Sequence, residues 1–319
     1  MVFIIRAGPI GLATAIQLKK RKIPVTIIER GCLVNSIYHY PSNMTFFSTS
    51  EKLEIGNIPF ISHGPKPTRQ EALEYYRRAA EHYALNVKLY EKVLFVEGDD
   101  GNFIVKTDKN EYKASKVILA TGFYGKPKLM NIPGEDLPKV RHYYDDPHLY
   151  TWQNVLVVGG GNSAVDAALE TWRKSANVSI LLRGSSLKKT VKYWVKPDIE
   201  NRIKEGSITA YYNSELLAIR EKTVDILTPD GKITIENDFV LAMTGYVPHY
   251  DLMNQLGIEL TDDKFKMPVY NKETLETNRK GVYVAGVVCG GMDTSSLFIE
   301  NSRIHADHIA ASISQSLNS

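Results

Sequence analysis

The chain has 319 residues, 43% of them hydrophobic and 24% charged, with a formal net charge of +3. That is the balance of a globular protein with room for two domains of ordinary size, and so slight a charge excess gives no argument for nucleic acid or a membrane surface as partner. No apolar run is long enough to span a bilayer, and the two cysteines, Cys32 and Cys289, lie too far apart for a CxxC motif or a metal site.

The first predicted element is a strand, Val2-Phe3-Ile4-Ile5, which runs through the turn Arg6-Ala7-Gly8-Pro9-Ile10-Gly11 into a helix opening on Leu12-Ala13-Thr14-Ala15. A glycine turn between strand and helix lets a pyrophosphate approach the backbone at Gly8, Pro9, Ile10 and Gly11 and rest on the helix N-terminus. The next strand, Val25-Thr26-Ile27-Ile28, ends in Glu29, eighteen residues after Gly11. A carboxylate there accepts hydrogen bonds from an adenosine ribose and repels a 2′-phosphate, so this site is expected to hold an unphosphorylated adenosine such as that of FAD. Because the fold starts at Val2, no secretory leader is expected ahead of it, and cysteine usage points to a reducing cytoplasm.

Thr68-Arg69-Gln70-Glu71 reads as a capping box, opening a helix with the apolar stripe Ala72, Tyr76, Ala79, Tyr83. Three strands are predicted after it, Val87–Val96, Phe103–Thr107 and Lys116–Ala120, with polar turns at residues 98–102 and 108–110. The third ends in Ala120-Thr121-Gly122.

A second copy of the device follows. The strand Val155-Leu156-Val157-Val158 leads into Gly159-Gly160-Gly161-Asn162-Ser163-Ala164 and a helix on Val165-Asp166-Ala167-Ala168. Its second strand, Val178-Ser179-Ile180-Leu181-Leu182, ends in Arg183, nineteen residues after Ala164, with Lys188 and Lys189 close behind. A guanidinium at this corner suits a 2′-phosphate by charge and by forked hydrogen bonding, so NADPH is expected here; a solvated basic loop is the plainer alternative. Strands over Lys232–Ile235 and Phe239–Met243, ending in Thr244-Gly245, echo the first half. Two such turns in register imply two dinucleotides on one protein, and the halves form an internal repeat at domain scale.

With these motifs the chain resembles the flavoproteins with two dinucleotide-binding domains, which include thioredoxin reductase and the flavin monooxygenases. The resemblance implies an α/β protein of two Rossmann-like dinucleotide-binding domains (the FAD/NAD(P)-binding fold), with the NADPH domain inserted in a discontinuous FAD domain. That maps to residues 1–121 and 246–319 for FAD and 122–245 for NADPH. It further implies that Ala120, Thr121 and Gly122 line the FAD site and Gly245 the NADPH site. Gly281-Val282-Tyr283-Val284-Ala285-Gly286 would bring Gly286 to the ribityl chain, and Arg30 and Val93 join the FAD-binding set. Asp293-Thr294-Ser295-Ser296 would cap a helix running towards Ser314, its N-terminus with Ser295 and Ser296 facing the flavin pyrimidine.

Four stretches are similar to the bacillithiol disulfide reductases, the YpdA-like group, over essentially the whole chain: Asn35-Ser36-Ile37-Tyr38, Asn43-Met44-Thr45-Phe46-Phe47-Ser48-Thr49-Ser50, Ile58-Pro59-Phe60-Ile61 and Phe298-Ile299-Glu300-Asn301. This implies an FAD enzyme that uses NADPH to reduce the disulfide of a low-molecular-weight thiol, and a homo-oligomer. Ser36 would lie near the FAD phosphates or ribityl chain, and Thr45, Phe46 and Phe47 near the isoalloxazine ring.

Three positions depart from the wider pattern. Arg6 stands in place of the first fingerprint glycine, where a side chain either strains the turn or contacts phosphate. Ile10 occupies the place where many members carry a cysteine in a Gly-Pro-Cys-Gly turn, so a mixed disulfide at that position is not available. Val287 replaces a ribityl-binding aspartate that the YpdA-like group also lacks. Cys289, near the last helix N-terminus, is the one catalytic candidate, against which stands the ordinary role of an isolated cysteine in packing. Thioredoxin reductase proper is disfavoured because no cysteine falls between Gly161 and Gly245. A monooxygenase stays open, although Asp136 and Pro138 stand where its F-x-G-x-x-x-H motif ending at His142 needs Phe and Gly. So do a ferredoxin or flavodoxin reductase and, if Arg6 cripples the first site, an NADPH-binding redox sensor. No metal site is read, His305 and His308 lacking further ligands nearby.

Overall fold

In the computed structural model, which describes residues 1–318, the chain divides into two units. One is built from Met1–His39, Asn43–Lys126 and the part of the chain from Tyr246 onward; the other from Tyr40–Ser42 and Pro127–Gly245.

The first unit carries a five-stranded parallel sheet in the order Val282–Val284, Lys116–Leu119, Val2–Ile5, Val25–Ile28, Val87–Lys88. Val2–Ile5 and Lys116–Leu119 are buried along their whole length, as strands covered on both faces must be. Ile5 pairs with Ile28 on one side and with Leu119 on the other, so the three strands end level. That register brings Arg6, Glu29 and Ala120 to one edge. The helix Pro9–Lys20 packs against the C-terminal helix His305–Asn318, whose Ala306, Ile309, Ala310 and Ile313 are buried at helical spacing. Both halves of the capping box form at Thr68 and Glu71, and the helix Arg69–His82 buries Ala72, Tyr75, Tyr76, Ala79 and Ala80.

The single strand expected over Val87–Val96 is two. Val87–Lys88 joins the parallel sheet, whereas Val93–Glu97 pairs with Phe103–Thr107 in an antiparallel sheet completed by Glu111–Ala114. Tyr90, with φ of +54°, turns the chain between them. The helix expected directly after Asp293 starts later. Asp293 caps its own turn through Ser295 N at 3.0 Å, and helical residues run Ile299–Ser302 and then His305–Asn318.

The second unit repeats the plan. Its parallel sheet runs Ile208–Tyr211, Asn177–Leu181, Asn154–Val158, Phe239–Ala242, Val140–Arg141. Alternation divides the central strand between two cores. Val155 and Val157 face Val165 and Ala168 of the helix Asn162–Arg173, and Leu156 and Val158 pack with Leu216, Val224 and Ile226 of an antiparallel sheet. That sheet is Glu215–Ile219, Thr223–Thr228, Gly231–Glu236, of which only the last strand was expected. Among the described residues no helix is long and apolar enough to cross a membrane.

Candidate functional site

Each unit presents a strand, a glycine turn and the N-terminus of a twelve-residue helix. In the first, Gly8 caps the helix in an extended conformation with no side-chain hydrogen bond, and Pro9 fills the first helical position. Helix geometry leaves the N–H groups of Ile10 and Gly11 without intrahelical acceptors, so they are donors for an anion. A Cβ at Gly8 would meet no atom within 4 Å, whereas one at Gly11 would stand 2.3 Å from the Arg6 carbonyl oxygen. Gly8 therefore keeps a cradle open, and Gly11 lets the helix pass the strand. Ala120 lies beside Gly11, and the Thr121 hydroxyl next to it is buried without a partner. Gly286 closes the other side, with Ile10 Cγ1 3.1 Å from where its Cβ would be. Gly122, at φ of +60°, faces Val287.

Arg6 adopts φ of +93°, a conformation that costs a non-glycine residue about 1–3 kcal/mol. Its guanidinium, with the side chain 15% exposed, lies 3.1 Å from Glu29 Oε1. The Glu29 carboxylate also accepts from Gly31 N at 3.0 Å and, through Oε2, from Ala7 N at 2.9 Å; the residue is 2% exposed. Burial lowers the Arg6 pKa, and the adjacent Glu29 charge opposes that shift. Arg30 donates to the Gly125 carbonyl at 2.9 Å. His249 lies alongside, its Nε2 buried and unpartnered, pushed down to about 4 first by burial and then by Arg6, Arg30 and Lys126. The residues present fit the pyrophosphate of a dinucleotide; the carboxylate that would take its ribose is engaged by Arg6.

The remaining first-unit candidates scatter. Ser36 sits on the one-turn helix Asn35–Tyr38. Thr45 bridges to Thr68, and Phe46 is buried with its N–H on the Pro67 carbonyl at 2.9 Å. Val93 is half-buried at the irregular end of its strand. Ser295 and Ser296 bond to Asp293.

In the second unit, Gly159 has φ of +138° and a Cβ there would lie 2.4 Å from the Met243 carbonyl, so no other residue fits. Gly161 caps the helix without a side-chain bond and has only Lys188 Cδ at 3.9 Å beside it. Ser163 follows in the first helical turn, and Ala164, in place of the third glycine, is fully buried. The Asn162 side chain ties the following loop over the turn, donating to Thr190 O and accepting from Lys192 N, both at 3.0 Å. Lys188 N reaches Gly160 O at 2.9 Å. Gly159 N donates to Leu181 O at 3.0 Å, which brings the end of the second strand to the turn. Arg183 and Lys188 are exposed there, and no ion pair among the described residues uses either. Gly245, at φ of +101°, is exposed with open space around it.

Cys289 is 0% exposed. Burial pushes its thiol well above the usual range, opposite to the lowering expected from a helix N-terminus. Its neighbour His305, 3.8 Å away, already accepts the Gly286 N–H through the same Nδ1 and is pushed down to about 4 by burial. Cys289 is held as a protonated packing residue. His142 lies 3.6 Å from Glu135, which accepts from Met130 N and Asn131 N; it belongs to a loop anchor. Sequence reading flagged Arg6 but not its bond to Glu29, and missed His249, for which no motif exists.

The family profile described as pyridine nucleotide-disulphide oxidoreductase matches residues 3–286. Bacilliredoxin reductase Bdr of Bacillus subtilis (strain 168) is 43% identical over 317 residues, covering 99% of this chain and 98% of that protein. The structure of the bacillithiol disulfide reductase Bdr (YpdA) from Staphylococcus aureus is similar with a TM-score of 0.95 at 41% identity, over 99% of this chain and 98% of the other. That of the Bacillus cereus protein of the same name gives 0.96 at 40%, over 99% of both. With two Rossmann-like units and this likeness along nearly all its length, the chain belongs to the pyridine nucleotide-disulphide oxidoreductases, an enzyme family whose membership implies a flavin and a pyridine nucleotide.

Proposed function

We propose that this chain is an NADPH-dependent FAD oxidoreductase whose acceptor is a disulfide of the bacillithiol type. The observation that carries the reading is the contrast between the two cradles. One strand ends in the buried carboxylate of Glu29, which suits an unphosphorylated adenosine, and the other in the exposed Arg183, with Lys188 in the loop that follows, which suit a 2′-phosphate. On this reading residues 1–121 and 246–319 form the FAD domain and 122–245 the NADPH domain. Ile10 and Gly11 offer N–H groups to the FAD pyrophosphate, and Asn162, Ser163 and Ala164 to that of NADPH.

When bound, the flavin supplies two-electron chemistry, so that NADPH and one proton convert one disulfide into two thiols. The chain's own part is to bind, orient and exclude. No thiol with a lowered pKa stands at either cysteine, so the proposed reduction proceeds without a mixed disulfide to the protein. The full-length likeness supports a disulfide acceptor, and the relatives' names include both a small disulfide and a protein, bacilliredoxin. A cytoplasmic setting, supported by two free cysteines, and a homo-oligomeric state complete the proposal.

An anaerobic NADPH titration of the FAD-loaded protein, followed by oxidised bacillithiol, tests this. Bleaching of the flavin band by NADPH but not NADH, and its recovery on disulfide addition, is the expected result. Bleaching without recovery, with recovery instead on adding a bacilliredoxin carrying a mixed disulfide, would move the acceptor from the small molecule to the protein. No bleaching despite bound FAD overturns the reading.

A further inference from the structure

The first turn is open where a pyrophosphate would lie and closed where a ribose would. No atom comes within 4 Å of where a Cβ on Gly8 would stand, and the buried Thr121 hydroxyl beside the cradle lacks a partner. Glu29, by contrast, is 2% exposed, with hydrogen bonds on both carboxylate oxygens. Two of its three donors are backbone N–H groups, Ala7 and Gly31, fixed by the turn itself. The third is the Arg6 guanidinium, on the flexible side chain of a residue whose φ of +93° belongs to glycine. A carboxylate has about four acceptor positions, so hydrogen-bond capacity alone would still admit a ribose hydroxyl. Of the three donors, Arg6 alone sits on a side chain that can move away.

We propose that Arg6 is a built-in competitor of the adenosine ribose for Glu29, so that the ribose gains its hydrogen bond to the carboxylate only at the expense of the guanidinium's. The inference rests on the reading of this turn as the FAD site. It differs from the other role open to an arginine here, that of a phosphate ligand, and the two have opposite signs on replacement. A competitor removed tightens binding. A ligand removed weakens it.

The test is equilibrium binding to the apoprotein by flavin fluorescence, comparing wild type with Arg6→Gly. Each is titrated with FAD and with FAD lacking the adenosine 2′-hydroxyl. A hydrogen bond to a charged group sets the expected scale at about tenfold. Wild type binds the two flavins within about twofold of each other, because the bond that a 2′-hydroxyl gains at Glu29 replaces the Arg6 one. Arg6→Gly binds FAD about tenfold more tightly than wild type and discriminates against the deoxy flavin by a similar factor. Should the variant not fold, the wild-type comparison decides alone. Arg6→Gly binding FAD no more tightly than wild type, or a wild type that already rejects the deoxy flavin tenfold, overturns the inference and leaves the FAD site standing. Failure of both proteins to bind FAD while NADPH still binds overturns the FAD-site reading, and the inference with it.

Discussion

On the proposed reading, replacing Arg183 with alanine should remove the larger part of a preference for NADPH over NADH and leave Lys188 to hold the rest. The side chain stands exposed at the end of the Asn177–Leu181 strand, and Lys188 from the following loop is held over the same turn through its backbone bond to Gly160 at 2.9 Å. A 2′-phosphate carries roughly −1.5 to −2 charges at neutral pH. A hydrogen bond to a charged group contributes about 1.5–3 kcal/mol, and solvent screening at an exposed position argues for the lower end. About 1.5 kcal/mol corresponds to roughly tenfold in affinity for NADPH. Lys188→Ala, a point charge without the fork, should add about fivefold. NADH lacks the phosphate, so its affinity should move by no more than about twofold in either variant. Calorimetric titration with both nucleotides, at low and high salt, reads the difference directly, and the NADPH preference should itself shrink as salt rises. Equal loss for both nucleotides, or no loss for either, would refute the assignment of this corner to a 2′-phosphate.

The two glycines of the first turn should separate by kind. Gly11→Ala drives a methyl to 2.3 Å from the Arg6 carbonyl and should lower stability by about 1–3 kcal/mol, read in chemical denaturation, whereas Gly8→Ala enters open space, leaves stability within about 0.5 kcal/mol and reduces FAD retention. Cys289→Ala should cost about 1 kcal/mol of packing while NADPH-driven disulfide turnover stays within about twofold of wild type; loss of turnover at unchanged flavin content would restore the thiol to the mechanism. His249 and His305 are each held down to about 4 from an ordinary 6.5, so the unfolded chain binds protons that the fold refuses as pH falls through that window. Stability should be full above about pH 6.5 and decline towards about pH 4, and Asn at either position should flatten that slope in thermal melts.

The parts of this fold that could be read from sequence are those in which local chemistry and tertiary packing agree. Val2–Ile5 and Val155–Val158 are apolar throughout because both faces are covered, and each runs directly into a glycine turn. The capping box at Thr68 was legible because its two bonds are local, Thr68 to Glu71 and back. The break at Tyr90 was not, since a tyrosine with φ of +54° has no local signature and is imposed by two sheets competing for one segment. Glu215–Ile219 and Thr223–Thr228 escaped for a similar reason: they are half-buried strands whose facing partners, Leu156 and Val158, lie far away in sequence. At the candidate site, the glycines and strand-end charges stand at the fixed spacings that the proposed phosphate roles require, so they are visible in the sequence. The Arg6–Glu29 pair and the orphaned His249 arise only once strands end level and a distant helix start is brought beside them.

The exchange of sulfur for hydrocarbon at the first turn bears most on chemistry. Ile10 lies at the helix N-terminus against Gly286, a place where the dipole and free N–H groups would favour a thiolate if a cysteine stood there. Isoleucine fills that space and cannot be oxidised. Cys289 does not inherit the role: it is sealed from solvent, burial raises its pKa, and the one nearby base has its lone pair on the Gly286 N–H. Cys32 is half-exposed beside Asn35, and its thiol is raised first by burial and further by the Glu29 charge. With neither sulfur activated, the proposed reduction passes electrons to a disulfide acceptor that does not first bond to the protein. The selectivity of such an enzyme then resides in how its surface holds the acceptor, and not in the reactivity of a cysteine.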